Sequence, residues 1–101
     1  MKMFKEYVPK SDIVDFEKLK NSPNLKLKKF REAAYYGEIV NGRRHGVGVI
    51  IYNNERVYEG HWECDYKQGI GFEMFPNGNY YQGDYVNGKP EGIGKHTWAH
   101  G

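Results

Sequence analysis

At 101 residues the chain is the length of one small domain and too short to bury a large globular core. Apolar residues make up 39%, yet aromatics reach 16%, with nine tyrosines beside thirteen glycines, a balance that favours tight turns and ring contacts over helices. Charge is divided: residues 1–34 hold nine Lys/Arg against five Asp/Glu, net +4, while residues 35–101 hold six against eight, net −2. The lone cysteine, Cys64, excludes an internal disulfide, and no segment approaches the ~20 apolar residues of a membrane helix. The first residues, MKMFKEYVPKSD, lack the apolar run of a signal peptide, so a reducing, cytoplasmic setting is expected.

In chain order, residues 1–34 read as a basic, mostly helical extension. Residues 1–10 carry no periodic pattern. Ser11 to Lys20 reads as a short helix with Ser11 as N-cap, acids in its first turn and lysines in its last. Ser22-Pro23 can open a second helix through Arg31, although Leu25-Lys26-Leu27-Lys28 alternates as a strand does. The sheet that follows needs its first edge covered, and Ile13, Phe16, Leu27 and Phe30 are expected over that edge or on the aromatic face.

From Tyr35 the chain repeats. Residues 35–57, 58–80 and 81–101 align without a gap, with Tyr35, Tyr58 and Tyr81 at position one and an offset of 23 each time. Position three is Gly37, Gly60 and Gly83, and position five is Ile39, Trp62 and Tyr85. A Gly-x-Gly pair recurs as Gly46/Gly48, Gly69/Gly71 and Gly92/Gly94, followed at position eighteen by Tyr52, Phe75 and Trp98. Tyr-x-Gly-x-aromatic has period two, so these side chains share one strand face, and Glu38, His61 and Asp84 point away from it. Asn41-Gly42 and Asn87-Gly88 are hairpin turns; Cys64-Asp65 fills that place in the middle repeat with weaker turn formers. Each repeat is therefore one hairpin, stable only when stacked on its neighbours. The fold class is all-β: an elongated array of antiparallel hairpins in a single curved sheet. Aromatic margins over a glycine floor predict a groove lined by Tyr35, Tyr58, Trp62, Phe75, Tyr81, Tyr85 and Trp98.

The stretch YEGHWECDYKQGIGFEMFPNGNYYQGDYVNGKPEGIG resembles the MORN repeat, whose pattern is Y-x-G-x-W-x-x-G-x-x-H-G-x-G with a D/N-G turn before the next tyrosine. His45-Gly46-Val47-Gly48 matches its H-G-x-G; Gln68 and Glu91 stand in for the histidine later, and Asp65 replaces a turn glycine. The resemblance implies a rod-like β array of the kind found in cytoskeletal, ciliary and junction-forming proteins, and beside some lipid kinases. Such members bind protein segments in a groove, and phosphoinositide binding has been suggested for them. Since the third repeat stops at Gly101, inside its expected loop, further repeats are expected beyond it.

The functional expectation is a non-catalytic scaffold holding a helix or extended segment, from a partner, a second copy or its own extension, against Tyr58, Trp62, Tyr81 and Tyr85. A second reading is an anionic-lipid contact through Lys26, Lys28, Lys29, Arg31, Arg43 and Arg44, and a third is an accessory region of a lipid kinase or methyltransferase. The histidines His45, His61, His96 and His100 fall at unrelated repeat positions without ligand spacing, so no metal or other cofactor is expected. Glu73 and Asp84 could be cast as acid and base, but an open ribbon offers them no pocket, and no nucleophile, phosphate-loop or kinase motif is present. The modest pI of 8.6 and the acidic repeats argue against nucleic acid.

Overall fold

A computed structural model describes residues 7–99; expectations for residues 1–6, His100 and Gly101 lie outside that range. The described chain is one short helix, α1 (Phe16–Leu19), and seven strands: β1 (Leu25–Lys29), β2 (Ala33–Val40), β3 (Arg43–Tyr52), β4 (Val57–Glu63), β5 (Tyr66–Met74), β6 (Tyr80–Val86) and β7 (Lys89–Thr97). They form one antiparallel, unclosed sheet in the order β1 to β7, each strand pairing with its neighbour in sequence.

The three hairpins β2–β3, β4–β5 and β6–β7 are the three repeats. Asn41, Gly42, Asn87 and Gly88 take the positive φ values their turns require. Cys64 and Asp65 do so as well, at φ 47° and 73°, a conformation that aspartate tolerates and cysteine rarely adopts. The preceding repeat supports that turn: Cys64 N–H donates to His45 Nδ1 at 3.3 Å, and Asp65 N–H donates to the Arg44 carbonyl at 2.9 Å.

The extension departs from expectation in two places. No second helix forms from Ser22-Pro23; Leu25–Lys29 is a strand, paired with β2 from Leu25↔Glu38 to Lys29↔Ala34. The leucine–lysine alternation prevails because β2 would otherwise present unpaired backbone groups, and a helix, whose backbone bonds are internal, would leave them unmet. The first helix is only one turn, capped by Asp15, whose side chain accepts from Lys18 N–H at 3.1 Å. Ser11 is not its cap.

The repeated glycines have two separate reasons. Between Gly37↔Gly48 and Ile39↔Arg44, β3 carries two more residues than β2, and the same irregularity recurs in β4–β5 and β6–β7. Gly46, Gly69 and Gly92 sit in that bulge with positive φ. Positions three and fourteen face each other across the hairpin (Gly37↔Gly48, Gly60↔Gly71, Gly83↔Gly94), and there the missing side chain makes room for a ring.

Candidate functional site: the tyrosine face

Tyr35, Tyr58 and Tyr81 lie down across their own glycine pairs. Each hydroxyl reaches over the strand and donates to the carbonyl of position four: Tyr35 to Glu38 at 2.9 Å, Tyr58 to His61 at 2.7 Å, Tyr81 to Asp84 at 3.0 Å. The position-five rings of the second and third repeats then wedge between them. Tyr35–Trp62, Trp62–Tyr58, Tyr58–Tyr85 and Tyr85–Tyr81 meet edge to face with centroids 5.1–5.5 Å apart. Contacts of this geometry are worth roughly 0.5–1.5 kcal/mol each beyond their buried area. Trp62 also donates its Nε1–H to the Gly48 carbonyl at 3.3 Å.

Cations roof this row. The Arg44 guanidinium stands 4.5 Å over Trp62 and 5.2 Å over Phe30. Arg56 lies 4.0 Å over Tyr52, and the Lys67 ammonium 5.0 Å over Tyr58. Beneath them Glu73, buried between Tyr58 and Tyr81 in the register, accepts from Lys67 Nζ at 3.2 Å and from the Tyr85 hydroxyl at 2.9 Å. Arg56 Nε lies 3.4 Å from its other oxygen, an ion pair without a hydrogen bond. Glu73 and Asp84 are on opposite faces, so the two carboxylates do not converge.

The groove residues expected from sequence are therefore distributed unevenly. Tyr35, Tyr58, Trp62, Tyr81 and Tyr85 do share one face, but as a packed layer no more than 4% exposed. Trp98 is 62% exposed and stacks on His96, which in turn leans on Tyr81. Phe75 leaves the row and stands half-buried by the 76–78 loop, in a cleft shared with Tyr7, Lys10 and Met74. The sequence pattern assigned the shared face of Tyr35, Tyr58, Trp62, Tyr81 and Tyr85, but not the position of Phe75, and these five rings form a buried layer where an open groove was expected. It carried no sign of Arg44, Arg56 and Lys67 as a roof, since each reaches its ring from a neighbouring strand or loop.

The basic cluster is split by strand geometry rather than gathered on a helix face. Lys26 and Lys28 pair with Gly37 and Tyr35 and so belong to the tyrosine face, with Arg44; Lys29, opposite Ala34, belongs to the other, as does Arg43, opposite Val40. Arg31 follows β1 and is exposed. Arg44 is further held by Asp65, which accepts from its N–H at 2.8 Å and its Nε at 3.1 Å.

Ile13 and Phe16 also lie elsewhere than expected. Ile13 and Leu19 line a cleft of about 620 Å³ with Glu38 and Val47, on the face opposite the tyrosines, and Phe16 meets Tyr7 on that side. The edge of β2 is covered by β1 itself, and Phe30 joins the tyrosine-face core. Among the described residues no cluster of three His, Cys, Asp or Glu forms a metal site, and no helix is long and apolar enough to cross a membrane.

Burial raises the hydroxyl pKa of Tyr7, Tyr35, Tyr58, Tyr81 and Tyr85; Glu73 adds to the effect at Tyr58 and Tyr85, and Glu59 at Tyr7. The fold thus favours the neutral phenols. Their contribution is complete below the unfolded value of about 10 and is lost as pH rises past it. In an alkaline titration, phenolate absorbance from Tyr35, Tyr58, Tyr81 and Tyr85 is expected to appear in one step together with loss of the β-sheet circular dichroism signal. Smooth ionisation of all the tyrosines with the sheet signal intact would contradict the packing described.

The MORN repeat model matches at residues 35–55, 58–80 and 81–101, the same three hairpins. With most of its length so matched, the chain belongs to the MORN repeat family. Among curated proteins, none matches the chain. Three consecutive matches in one antiparallel sheet are consistent with a non-catalytic repeat module.

Proposed function

We propose that the chain is a protein-interaction module whose tyrosine face receives an acidic, amphipathic segment of a partner. One observation carries this reading: the face is a closely packed aromatic layer covered by cations. Lys26, Lys28, Arg44, Arg56 and Lys67 lie on it, while of the carboxylates among them Glu73 is buried and Asp65 is engaged by Arg44. Lys26 and Lys28 are exposed and present their ammonium donors outward, and a layer already packed costs little ordering when a partner docks. In this reading the buried rings shape the surface, and the contacts come from the cations and from exposed Trp98. A cytoskeletal or ciliary setting, and a second copy of the chain as the partner, belong to the same proposal.

The alternative occupant is an anionic membrane, which the same cations would attract. A Lys26→Glu/Lys28→Glu variant separates the outcomes, because both side chains are exposed. Unchanged thermal unfolding is expected, together with loss of a protein that the original chain captures from cell lysate. Capture of the same proteins by both forms would refute the assignment. Sedimentation of the original chain with phosphatidylserine or phosphoinositide vesicles, with no protein lost by the variant, would transfer the face to lipid.

A further inference from the structure

The opposite face carries a second construction that the repeat does not require. Residues 7–22 cross it outside the sheet, as a strap tied at both ends. At its far end the Ser22 hydroxyl donates to Glu38 Oε2 at 2.7 Å. At its near end everything converges on Glu59. That carboxylate is 0% exposed and accepts from the Tyr7 hydroxyl, from Lys10 N–H at 2.7 Å and from the Ser11 hydroxyl at 2.6 Å. The three donors come from five consecutive residues. Position two is Tyr36 in the first repeat and Gln82 in the third, so the buried acid belongs to the strap and not to the repeat pattern.

A carboxylate shut away from water persists only while donors surround it. Ser11 is one of those donors, and it lies in an irregular stretch between the exposed residues Lys10 and Asp12. We propose that Ser11 is a phosphorylation site whose modification releases the strap from Glu59. The reaction is ordinary phosphoryl transfer from ATP by a protein kinase. The Ser11 oxygen bonds to the γ-phosphorus, the bond to the β-phosphate oxygen breaks, ADP leaves, and the hydroxyl proton passes to the kinase's base. The product replaces a donor with a group of about −2 charge facing a buried carboxylate, so attraction becomes repulsion. Burial and Glu59 already hold the Tyr7 hydroxyl in its neutral form, which accords with a site that rejects a second negative charge.

Release would uncover a strip running from Val49 through Glu59 to Phe72, direct neighbours on β3, β4 and β5 and all buried beneath the strap side of the sheet. This surface is independent of the tyrosine face.

Hydrogen exchange on the full chain, with phosphoserine incorporated at position 11, tests the idea. Protection of Lys10, whose N–H bonds to Glu59, is expected to fall about ten- to a hundred-fold, the loss of roughly one charge-assisted hydrogen bond, while β2 to β6 keep theirs. Ser11→Asp should act in the same direction, and Ser11→Asp/Glu59→Gln should restore part of the protection, because the amide removes the like charge and keeps an acceptor for Lys10 N–H. Ser11→Ala, which removes a donor without adding charge, should have a smaller effect. The proposal is overturned if phosphoserine leaves the strap protected, if Glu59→Gln restores nothing in the Ser11→Asp background, or if the sheet opens together with the strap.

Discussion

Gly71→Ala is expected to destabilise the protein by about 3 kcal/mol, the upper range for inserting a group into a filled space. A Cβ at position 71 would lie 2.5 Å from the Tyr58 hydroxyl and 2.7 Å from its Cζ. The ring cannot step aside, because Trp62 and Tyr85 press on it from either side at 5.1 Å and its hydroxyl is bonded to the His61 carbonyl. Gly42→Ala is the control: nothing lies within 4 Å of its Cβ site, and only the positive φ of 77° opposes the change, at about 1 kcal/mol. Urea unfolding of the two variants compares the effects directly. Equal losses would mean that the Tyr58 ring yields to a methyl group at small cost, and that the space beneath it does not explain glycine at position fourteen.

Trp62→Ala should cost about 3–5 kcal/mol, the usual range for emptying a large aromatic site in a core. Its ring is the one contact shared by Tyr35 and Tyr58, and it also seats the Arg44 guanidinium. Against a total stability of roughly 5–15 kcal/mol, adding Tyr85→Ala would leave little folded chain. Trp62→Phe keeps an aromatic wedge and gives up the Nε1 bond to Gly48, so a loss nearer 1 kcal/mol is expected. A Trp62→Ala variant that unfolds at the same denaturant concentration as the parent would show that the aromatic layer is not the core.

The hairpin array was open to reading because its determinants are local. The 23-residue spacing, the Asn-Gly turns and the period-two placement of Tyr, Gly and aromatic residues each act over a few residues, and together they assign the tyrosines to one face. What covers that face was not legible. Its roof comes from Arg44, Arg56 and Lys67, whose sequence surroundings do not distinguish them from solvent-exposed cations. Ser22-Pro23 is a good helix start, and only the demand of the β2 edge for partners makes Leu25–Lys29 a strand. Ser11 looked like an N-cap on the same local grounds, yet its hydroxyl serves Glu59, 48 residues away, a pairing no nearby pattern encodes. Cys64-Asp65 erred in the other direction: a poor turn dipeptide turns because its neighbours in the preceding repeat hold it.

The register also gives repeat length a meaning of its own. On β2 the tyrosine face takes odd-numbered residues, on β3 and β4 even ones, on β5 and β6 odd ones again, as the pairings Tyr35↔Ile50, Ile50↔Tyr58, Tyr58↔Glu73 and Glu73↔Tyr81 show. Each hairpin thus changes parity once, and an odd offset between successive tyrosines cancels that change. Outside the bulges, strand residues alternate sides, so one residue added or lost in a regular stretch would turn the remainder of that strand over. Its tyrosine layer would then face the strap, and its glycines would have no ring to receive.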